Sequence, residues 1–320
     1  RYEEGTAGAL MAKELVKVKE TWLVPTTVRK MRSQAQEVTR VHSIYVVDKD
    51  DHLIGRLSLK DLLVAPAEAR IADIYIPKVD YVNVHDKDED VALLMQKYDL
   101  EAIPVVDDDH ILLGRITIDD IVDLIREEAE NDYQMAAGIT EDIDADDSIL
   151  DKTKARLPWL VLGLMGGFAA ASIMGGFEDA LTQYPELFYF TPLIAAMAGN
   201  VGVQSSAIVV QGLATNNIKG SMWSRMLKEI ALSVVNGVVL AILIFLLGSI
   251  FQYHSDISMT ISISLIIVII IASLIGTFVP LILDKNGIDP AVATGPFITT
   301  SNDIFGIFIF FFVAKLILGF

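Results

Sequence analysis

The stretch GPFITTSNDIFGIFIFFFVAKL, residues 295–316, has the length and apolarity of a membrane-spanning helix. About 20 apolar residues are needed to cross roughly 30 Å of hydrocarbon. The stretch contains one carboxylate, Asp303, and a charge at the centre of a spanning helix costs about 2.5–3.5 kcal/mol on insertion scales. We therefore expect Asp303 to face protein or water and to have a function.

Charge divides the chain into two different parts. Residues 1–150 contain 17 Lys and Arg against 33 Asp and Glu, whereas residues 151–320 contain 8 against 9. The acidic part argues against nucleic acid as a partner, because phosphates require Lys and Arg, and favours cations, which a negative surface attracts. The chain has no cysteine, which excludes disulfides and thiolate metal sites. Because it starts at Arg1 with no signal-peptide pattern, we expect a fragment of a longer protein.

Five apolar segments of the second part are long enough to span a membrane as helices. They are Pro158–Phe177, Leu187–Leu213, Trp223–Phe251, Ile257–Leu283 and Pro290–Phe320. Basic residues near the segment ends place the N-terminal region in the cytoplasm and the C-terminus outside. These basic residues are Lys152, Lys154, Arg156, Lys219, Arg225, Lys228 and Lys285. We expect a multi-pass protein of the cell inner (plasma) membrane, embedded in the lipid bilayer.

Two segments of the acidic part match at an offset of 59 residues. SIYVVDKDDHLIGRLSLKDLL begins at Ser43, and AIPVVDDDHILLGRITIDDIV begins at Ala102. Each predicts a strand, an Asp-rich turn, a second strand and a helix that opens with an acidic residue. Two such small units are expected to pack together and bury a shared apolar face.

A strongly acidic joint follows the repeats. Residues 119–151 include 13 acidic residues and one basic residue, Arg126. The first part predicts a helix with Asp120, Asp123 and Glu127 on one face, where like charges repel by roughly 0.2–0.5 kcal/mol per pair. Because carboxylate oxygens bind hard cations, we interpret the joint as a cation sensor. An ordinary solvated helix face is the alternative.

The second apolar segment contains polar residues among small ones. In TPLIAAMAGNVGVQSSAIVVQGLA, Asn200 and Gln204 stand four apart on one helix face, next to Gly199. Tight helix packing, for which small residues and interhelical amide bonds suffice, is one interpretation. A role at a pore is the other.

The last segment begins GIDPAVATGPFITTSNDIFG at Gly287. Asp289 stands as an N-cap before a first-turn proline, and Pro296 is expected to interrupt the helix. Irregular helix with polar residues at membrane depth is tolerated only beside protein or a water-filled cavity. We therefore expect Asp303 to face a pore, whereas a hydrogen-bonded structural Asp303 is the alternative. The polar residues after the proline are Thr299, Thr300, Asn302 and Asp303.

One carboxylate cannot hold a bare divalent ion, but it can bind a hydrated one. Mg²⁺ gives up its waters reluctantly and is commonly bound through one or two carboxylates. Two chains around a two-fold axis would bring two Asp303 side chains to one pore. The sequence therefore favours hydrated Mg²⁺ and a homodimer.

These motifs together resemble known families. The repeats, with their G-R-x-(S/T)-x-x-D step, resemble a tandem pair of CBS domains. With the acidic joint, the five spans, A-G-N-x-G-x-Q-S in the second span and D-P-A-x-x-x-x-P-x-x-x-x-x-x-D in the last, the chain is similar to the MgtE family of magnesium channels. The fold class that this implies is an α/β CBS-domain pair joined by an acidic connecting helix to an all-α five-helix transmembrane domain.

The resemblance also implies a domain organisation. Residues 1–10 are the remnant of a preceding N-terminal domain, and the two CBS units follow as residues 11–66 and 67–130. Residues 119–150, which overlap the end of the second unit, form the connecting (plug) helix and linker. Residues 151–320 form the transmembrane domain.

For the pore, the resemblance implies a homodimer whose fifth helices line the passage. It places ion recognition at Asp303, at the backbone of Thr299 and at the helix-opening Asp289, to which we add the neighbouring Asn302. Gly295 stands where some members have a polar residue, so no side chain can act there. Positions assigned to the pore or to helix packing are Gly199, Asn200, Gln204 and Pro296.

For regulation, the resemblance implies Mg²⁺ sites on the acids of the CBS pair and the connecting helix. Tandem CBS pairs also often bind adenine nucleotides, so ATP is an expected ligand. The sensor residues that match best are Asp119, Asp120, Asp123, Glu127, Glu128 and Glu130.

The predicted function is Mg²⁺ uptake through a channel that cytosolic Mg²⁺ closes. Transport of other divalent cations such as Co²⁺ or Mn²⁺, or cation export, is the alternative. We do not expect an enzyme: an intramembrane metalloprotease requires H-E-x-x-H on a helix. No such pair is formed by the five histidines, His42, His52, His85, His110 and His254.

Overall fold

The computed structural model describes residues 2–36, 38, 40–41, 43–215, 220–293 and 295–320. Lys219, which contributed to the expected orientation, and His42 lie outside these residues. The chain forms two compact units, Arg1–Ala129 and Glu130–Phe320, and each is described separately.

The first unit consists of two copies of one small α/β arrangement, as the repeat predicts. The first copy contains α1 (Ala7–Leu10), β1 (Val16–Lys19), α2 (Val24–Gln34), β2 (Ile44–Val47), β3 (Leu53–Leu57) and α3 (Leu59–Val64). The second copy contains α4 (Ile71–Ile74), β4 (Val82–Asn83), α5 (Asp88–Lys97), β5 (Ala102–Val106), β6 (Leu112–Thr117) and the first part of α6 (Ile118–Ala136).

Each copy has a three-stranded sheet in which a parallel pair is extended by an antiparallel hairpin. Val46 pairs with Gly55 in the first hairpin, and Val105 pairs with Gly114 in the second. Corresponding residue pairs of the two hairpins are therefore separated by the same 59 residues as the two sequence repeats. The middle strand β2 is buried at all four positions, which explains its continuous apolar run. The expected strand, turn, strand and helix are confirmed in both copies.

The two copies exchange their leading segments. Ala7 of α1 is fully buried in the core of the second copy, together with Val82. Ile71 of α4 is fully buried in the core of the first copy, together with Val46. The segment 1–10, expected as the remnant of another domain, thus contributes to the second copy's core.

Among its described residues, the second unit contains the end of α6 and six further α-helices. These are α7 (Ile149–Gly175), α8 (Glu178–Gln183), α9 (Glu186–Ala214), α10 (Met222–Ile250), α11 (Ser255–Lys285) and α12 (Pro296–Leu318). Among the described residues, five of these helices, all but the short α8, are long and apolar enough to cross a membrane. The five apolar segments of the sequence are confirmed as helices, although α7 starts earlier than expected, at Ile149.

α11 is the central helix of this bundle and packs against α9, α10 and α12. Its apolar side chains form one core with α9 and α12, in which Ile269, Phe310 and Phe311 are fully buried. α7 contributes Ala170 to the same core, while most of its remaining surface is exposed.

A carboxylate–imidazole pair occupies the turn between β2 and β3. His52 Nδ1 lies 2.8 Å from Asp48 Oδ2, and Asp48 Oδ1 accepts the backbone N–H groups of Asp50 and His52 at 2.8 and 3.0 Å. The hydrogen bond from Asp48 raises the pKa of His52 above its ordinary 6.5, and the bond from His52 lowers the pKa of Asp48 below 3.8. The pair therefore favours the charged forms of both groups.

We predict that Asp48→Asn lowers the pKa of the His52 imidazole, because it replaces the charged acceptor that stabilises the imidazolium with a neutral amide. The stability that His52 contributes is complete below its unfolded pKa of about 6.5 and is lost as the pH rises through the raised folded value. The contribution of Asp48 is present above its unfolded pKa and is lost as the pH falls through its lowered folded value. NMR titration of the histidine side chains in the purified chain measures the shift.

Asp50→Asn is the matched control, since Asp50 acts on His52 only through space and more weakly than Asp48. It should lower the pKa of His52 less than Asp48→Asn does. An equal effect of both substitutions would contradict the assigned pair.

Candidate functional site

A sharp backbone turn precedes α12. Gly295 has φ 55° and ψ −122°, a conformation essentially restricted to glycine. The expectation that Pro296 interrupts a helix is wrong: the chain forms a short 3₁₀ helix, Pro290–Ala293, and Pro296 begins a new α-helix, where its missing N–H has no role. Asp289 caps the 3₁₀ helix as expected, because its Oδ1 accepts the N–H of Ala291 at 2.8 Å.

Thr299 and Asp303 stand one turn apart on the face of α12 that meets α9. The Thr299 hydroxyl donates to the Gly295 carbonyl at 3.0 Å, which holds that side chain against the first turn. A Cβ on Gly199 of α9 would lie 3.1 Å from Thr299 Cγ2 and 3.4 Å from Asp303 Oδ1. The absence of a side chain at Gly199 therefore lets α9 approach both residues.

The carboxylate of Asp303 is half-buried. Within the described part of the chain, it has no hydrogen-bond or ion-pair partner. On the neighbouring helix α9, Asn200 and Gln204 are exposed. A half-buried carboxylate with free oxygens can accept hydrogen bonds from the waters of a hydrated cation.

Asn302 has a different position from the other predicted ion-binding residues. Its side chain is 1% exposed, and its amide lies directly over Gly202 of α9. Both polar atoms of the amide lack a hydrogen-bond partner within the described residues. The structure thus brings Thr299 and Asp303 together at the surface of α12 and turns Asn302 into the interior.

The end of the acidic joint contacts the start of α12, which the sequence did not indicate. A side chain on Gly295 would collide with the carbonyl of Ala136, the last residue of α6. A Cβ on Gly138 would lie 2.5 Å from Pro296 Cγ. Gly138 has φ 79° and follows the helix, as a C-terminal capping glycine does. That pattern could have located the end of α6, although not its contact with α12.

The predicted sensor acids are distributed along α6. Asp120 accepts the N–H and the hydroxyl of Thr117 at 2.8 and 2.6 Å, so it caps the helix. Asp119, Asp123, Glu127 and Glu130 are exposed, and Glu128 is partly buried. In the described residues of this one chain, these acids do not place three ligand atoms within 4.8 Å of one another, whereas Asp48, Asp50 and His52 do.

A cleft of about 480 Å³ is found in the first unit. Its lining includes Tyr81, Tyr98 and His110, together with Lys78 and Asp80. The rings of Tyr81 and His110 meet edge to face, with centroids 4.5 Å apart. A cleft of this size, with aromatic walls and a few charged groups, is typical of sites for small organic ligands.

Comparison with known proteins follows the same division of the chain. The profile of the MgtE family, described as a divalent cation transporter, matches residues 191–313, and the CBS domain profile matches residues 7–68 and 71–127. The magnesium transporter MgtE of Enterococcus faecalis is 37% identical over 316 residues, which cover 98% of this chain and 70% of that protein.

Two further similarities were found, one to a curated protein and one to a solved structure. The magnesium transporter MgtE of Thermus thermophilus is 35% identical over 326 residues, covering 99% of this chain and 71% of that protein. A crystal structure of the cytosolic domain of the Mg²⁺ channel MgtE in complex with ATP has 44% sequence identity, covers 39% of this chain and 50% of that chain, and has a TM-score of 0.37.

We predict that Gly295→Ala destabilises the second unit. The new Cβ would meet the Ala136 carbonyl, and the backbone conformation at this position costs a non-glycine residue roughly 1–3 kcal/mol. Gly287→Ala is the matched control, since Gly287 also has a positive φ, 71°, but has nothing within 4 Å of the added Cβ. Thermal unfolding of the purified chain should show a larger loss of Tm for Gly295→Ala. Equal losses would argue against the contact between α6 and α12.

Proposed function

The chain belongs to the MgtE family, whose named relatives are magnesium transporters, and we propose that it transports Mg²⁺ along a passage lined by Asp303. The observation that supports this proposal is the carboxylate itself. It is half-buried in an apolar helix, lacks a partner within the described residues and lies on the face of α12 that meets α9. A negative charge is stable there when a cation or water accompanies it.

We propose that the passage forms between two copies of the chain. One carboxylate is a weak site for a divalent ion, whereas a two-fold axis would place two Asp303 side chains opposite each other. The exposed Asn200 and Gln204 would then extend the polar lining. Mg²⁺ would pass with much of its water shell, because it dehydrates reluctantly. In this arrangement Asp289 caps the 3₁₀ helix that precedes α12. Thr299 offers its backbone carbonyl to the ion.

We predict that Asp303→Asn reduces Mg²⁺ flux by about tenfold or more. The substitution removes the charge from a hydrogen-bonded contact, and such contacts contribute about 1.5–3 kcal/mol, equivalent to about one to two decades. Mg²⁺ uptake into liposomes that contain the purified chain measures the change. Asp284→Asn, at an exposed carboxylate near the end of α11, is the control and should retain wild-type flux. Normal flux in Asp303→Asn liposomes would refute the passage.

We propose that Mg²⁺ on the cytosolic side closes this passage through α6. The proposal is supported by the continuity of the acidic helix with the segment that touches Gly295 and Pro296. A change in the position of α6 would therefore act directly on the first turn of α12. Within the described residues of one chain, the α6 acids do not bring three ligand atoms together, and we propose that the closing ions bridge acids of two chains. This is a population shift driven by the higher cation affinity of the closed state.

We predict that the double substitution Asp123→Asn and Glu127→Gln raises the Mg²⁺ concentration needed for half-closure by about tenfold, equivalent to roughly 1.4 kcal/mol. Both residues are exposed and stand one turn apart on α6. Asp120 is left intact because it caps the helix. Flux through liposomes at a series of Mg²⁺ concentrations on the cytosolic side gives the midpoint.

The matched control changes the net charge by the same amount, but on α5 instead of α6. Glu89→Gln with Asp90→Asn neutralises two exposed acids at the start of α5 and should leave the closing midpoint unchanged. The sensor assignment fails when both double variants shift the midpoint equally.

ATP is proposed as a ligand of the CBS pair, in the cleft lined by Tyr81, Tyr98 and His110. Aromatic rings can stack on the base, a contact worth about 1–3 kcal/mol in nucleic-acid sites, and Lys78 can meet a phosphate. The cleft volume of about 480 Å³ is in the range of nucleotide-sized ligands.

We also propose a membrane orientation for the chain and the identity of the transported ion. The basic residues around the helix ends support a cytosolic position for the first unit and an inner (plasma) membrane location. The family description, a divalent cation transporter, also fits the alternative of Co²⁺ or Mn²⁺ transport or of export. Oxygen donors around Asp303 favour a hard ion such as Mg²⁺.

A further inference from the structure

A short segment at the end of α6 contacts the start of α12. We call this segment, residues 136–140, the strap. Its Ala136 carbonyl lies where a side chain on Gly295 would be, and a Cβ on Gly138 would lie 2.5 Å from Pro296 Cγ. Because neither glycine has a side chain, the backbone of the strap lies directly against the first turn of α12.

The same strap is hydrogen-bonded to α7. The backbone N–H and the hydroxyl of Thr140 both donate to the carbonyl of Ala155 at 3.1 Å, and Ala155 is 0% exposed. Pro158 lies inside α7, where a proline bends the preceding turn and opens its carbonyls to other donors. A Cβ on Gly138 would also lie 3.5 Å from Trp159 Cγ. The strap thus joins the starts of α7 and α12.

α7 is packed more loosely than the other helices that it could move against. Among the described residues, α12 is the long helix against which α7 packs at length, whereas α11 packs against three helices. Leu160, Leu164 and Phe168 of α7 are 65%, 71% and 71% exposed. Elements with few packed neighbours open at a lower free-energy cost than central ones. α7 is therefore the easiest of these helices to displace.

The contact between α7 and α12 lies beside the proposed ion site. A side chain on Gly166 of α7 would collide with the Thr300 methyl group, and it would lie 3.8 Å from Ile304 Cδ1. Thr300 and Ile304 directly follow Thr299 and Asp303 in the sequence, so they stand about 100° further around the helix. α9 and α7 therefore border Asp303 on two flanks of α12.

We propose that α7 is a movable wall of the passage and that the strap, through Thr140, holds this wall against α12 when the passage is closed. This inference rests on the proposed closure of the passage by Mg²⁺ through α6. When α6 shifts, the strap leaves the Ala155 carbonyl, α7 moves away from Thr300, and the space beside Asp303 widens. Thr140 acts through α7, so it is a positioning residue.

Cysteine cross-linking measures the contact between α7 and α12. The chain has no cysteine, so Gly166→Cys with Thr300→Cys introduces one defined pair. A Cβ at position 166 would lie 3.4 Å from the Thr300 Cβ, close to the roughly 3.5–4.5 Å of a disulfide. The purified full chain in liposomes is oxidised with diamide, either in saturating Mg²⁺ or in EDTA.

Oxidation should be about tenfold faster in Mg²⁺, because its rate follows the fraction of molecules in which α7 lies against α12. Gly248→Cys with Ser258→Cys is the matched control pair. It joins α10 to α11, its Cβ atoms would lie 3.0 Å apart, and it should oxidise equally fast under both conditions. Equal rates for the Gly166 and Thr300 pair, or the same Mg²⁺ effect in the control pair, would overturn the proposal.

Substitutions of Thr140 in the same double-cysteine chain test the strap. Thr140→Val removes the hydroxyl donor and should slow oxidation in Mg²⁺ by about two- to tenfold, the range for one neutral hydrogen bond. Thr140→Ser keeps the donor and should retain the original rate. Equal rates in the valine and serine variants would overturn the role of Thr140.

Hydrogen exchange of the wild-type chain covers variants that fail to fold. The Thr140 N–H is bonded to the Ala155 carbonyl, so its exchange should be slower in Mg²⁺ than in EDTA. Mass spectrometry of a peptide that contains residues 137–143 measures the difference. Equal exchange under the two conditions contradicts a strap that is released.

Mg²⁺ flux separates this inference from the proposed function. The oxidised Gly166 and Thr300 cysteine pair should block flux, and dithiothreitol should restore it in the same liposomes. Unchanged flux after complete oxidation means that α7 is not a moving wall. A wild-type chain without flux contradicts the proposed function instead, and the cross-linking and exchange rates then decide whether α7 moves.

Discussion

The approach of α9 to its neighbours determines where polar groups can lie in this bundle. Gly199 faces Thr299 and Asp303, while Gly202 accommodates the Asn302 amide and meets Gly276 through its backbone carbonyl. Small residues at helix contacts allow backbones to come close in a membrane, where packing rather than water exclusion drives association. Without these glycines, the polar first turns of α12 would be displaced from α9. The candidate ion site is therefore a product of two helices, although its carboxylate belongs to one.

α12 combines this polar start with a strongly apolar remainder. Phe310 and Phe311 are fully buried in the core that α11 and α9 complete, and burying such a side chain contributes about 1.5–3 kcal/mol. Two such residues offset much of the free energy needed to desolvate Asp303. The apolar end thus fixes the helix, and the polar end is held where an ion can reach it. The glycine turn before Pro296 separates α12 from the preceding 3₁₀ helix. The polar first turns of α12 are therefore not a continuation of that 3₁₀ helix.

Hydropathy and periodicity predicted the architecture because both signals are local. The five spans are long apolar runs, and the repeat combines strand, turn and helix signals twice, so their types followed from the residues. Side-chain orientations that depend on a neighbouring helix were harder to predict from these local signals. Asn302 and Asp303 are adjacent and equally polar, yet one faces the interior and the other the surface, because only the packing of α9 distinguishes them. Pro296 begins a helix instead of breaking one, since the conformation of Gly295 cannot be read from composition. The contact of Ala136 with Gly295 joins residues far apart in sequence and left no local signal.

The exchange of α1 and α4 between the two CBS copies has a consequence for how such a pair can be inherited. The second half completes its hydrophobic interior with α1, which is encoded before the whole of the first half, whereas α4 directly follows the first half whose core it joins. A recombination event that copied the second half alone into a new gene would leave an apolar groove open where Ala7 had been. Modules of this kind are therefore expected to move between genes as intact pairs.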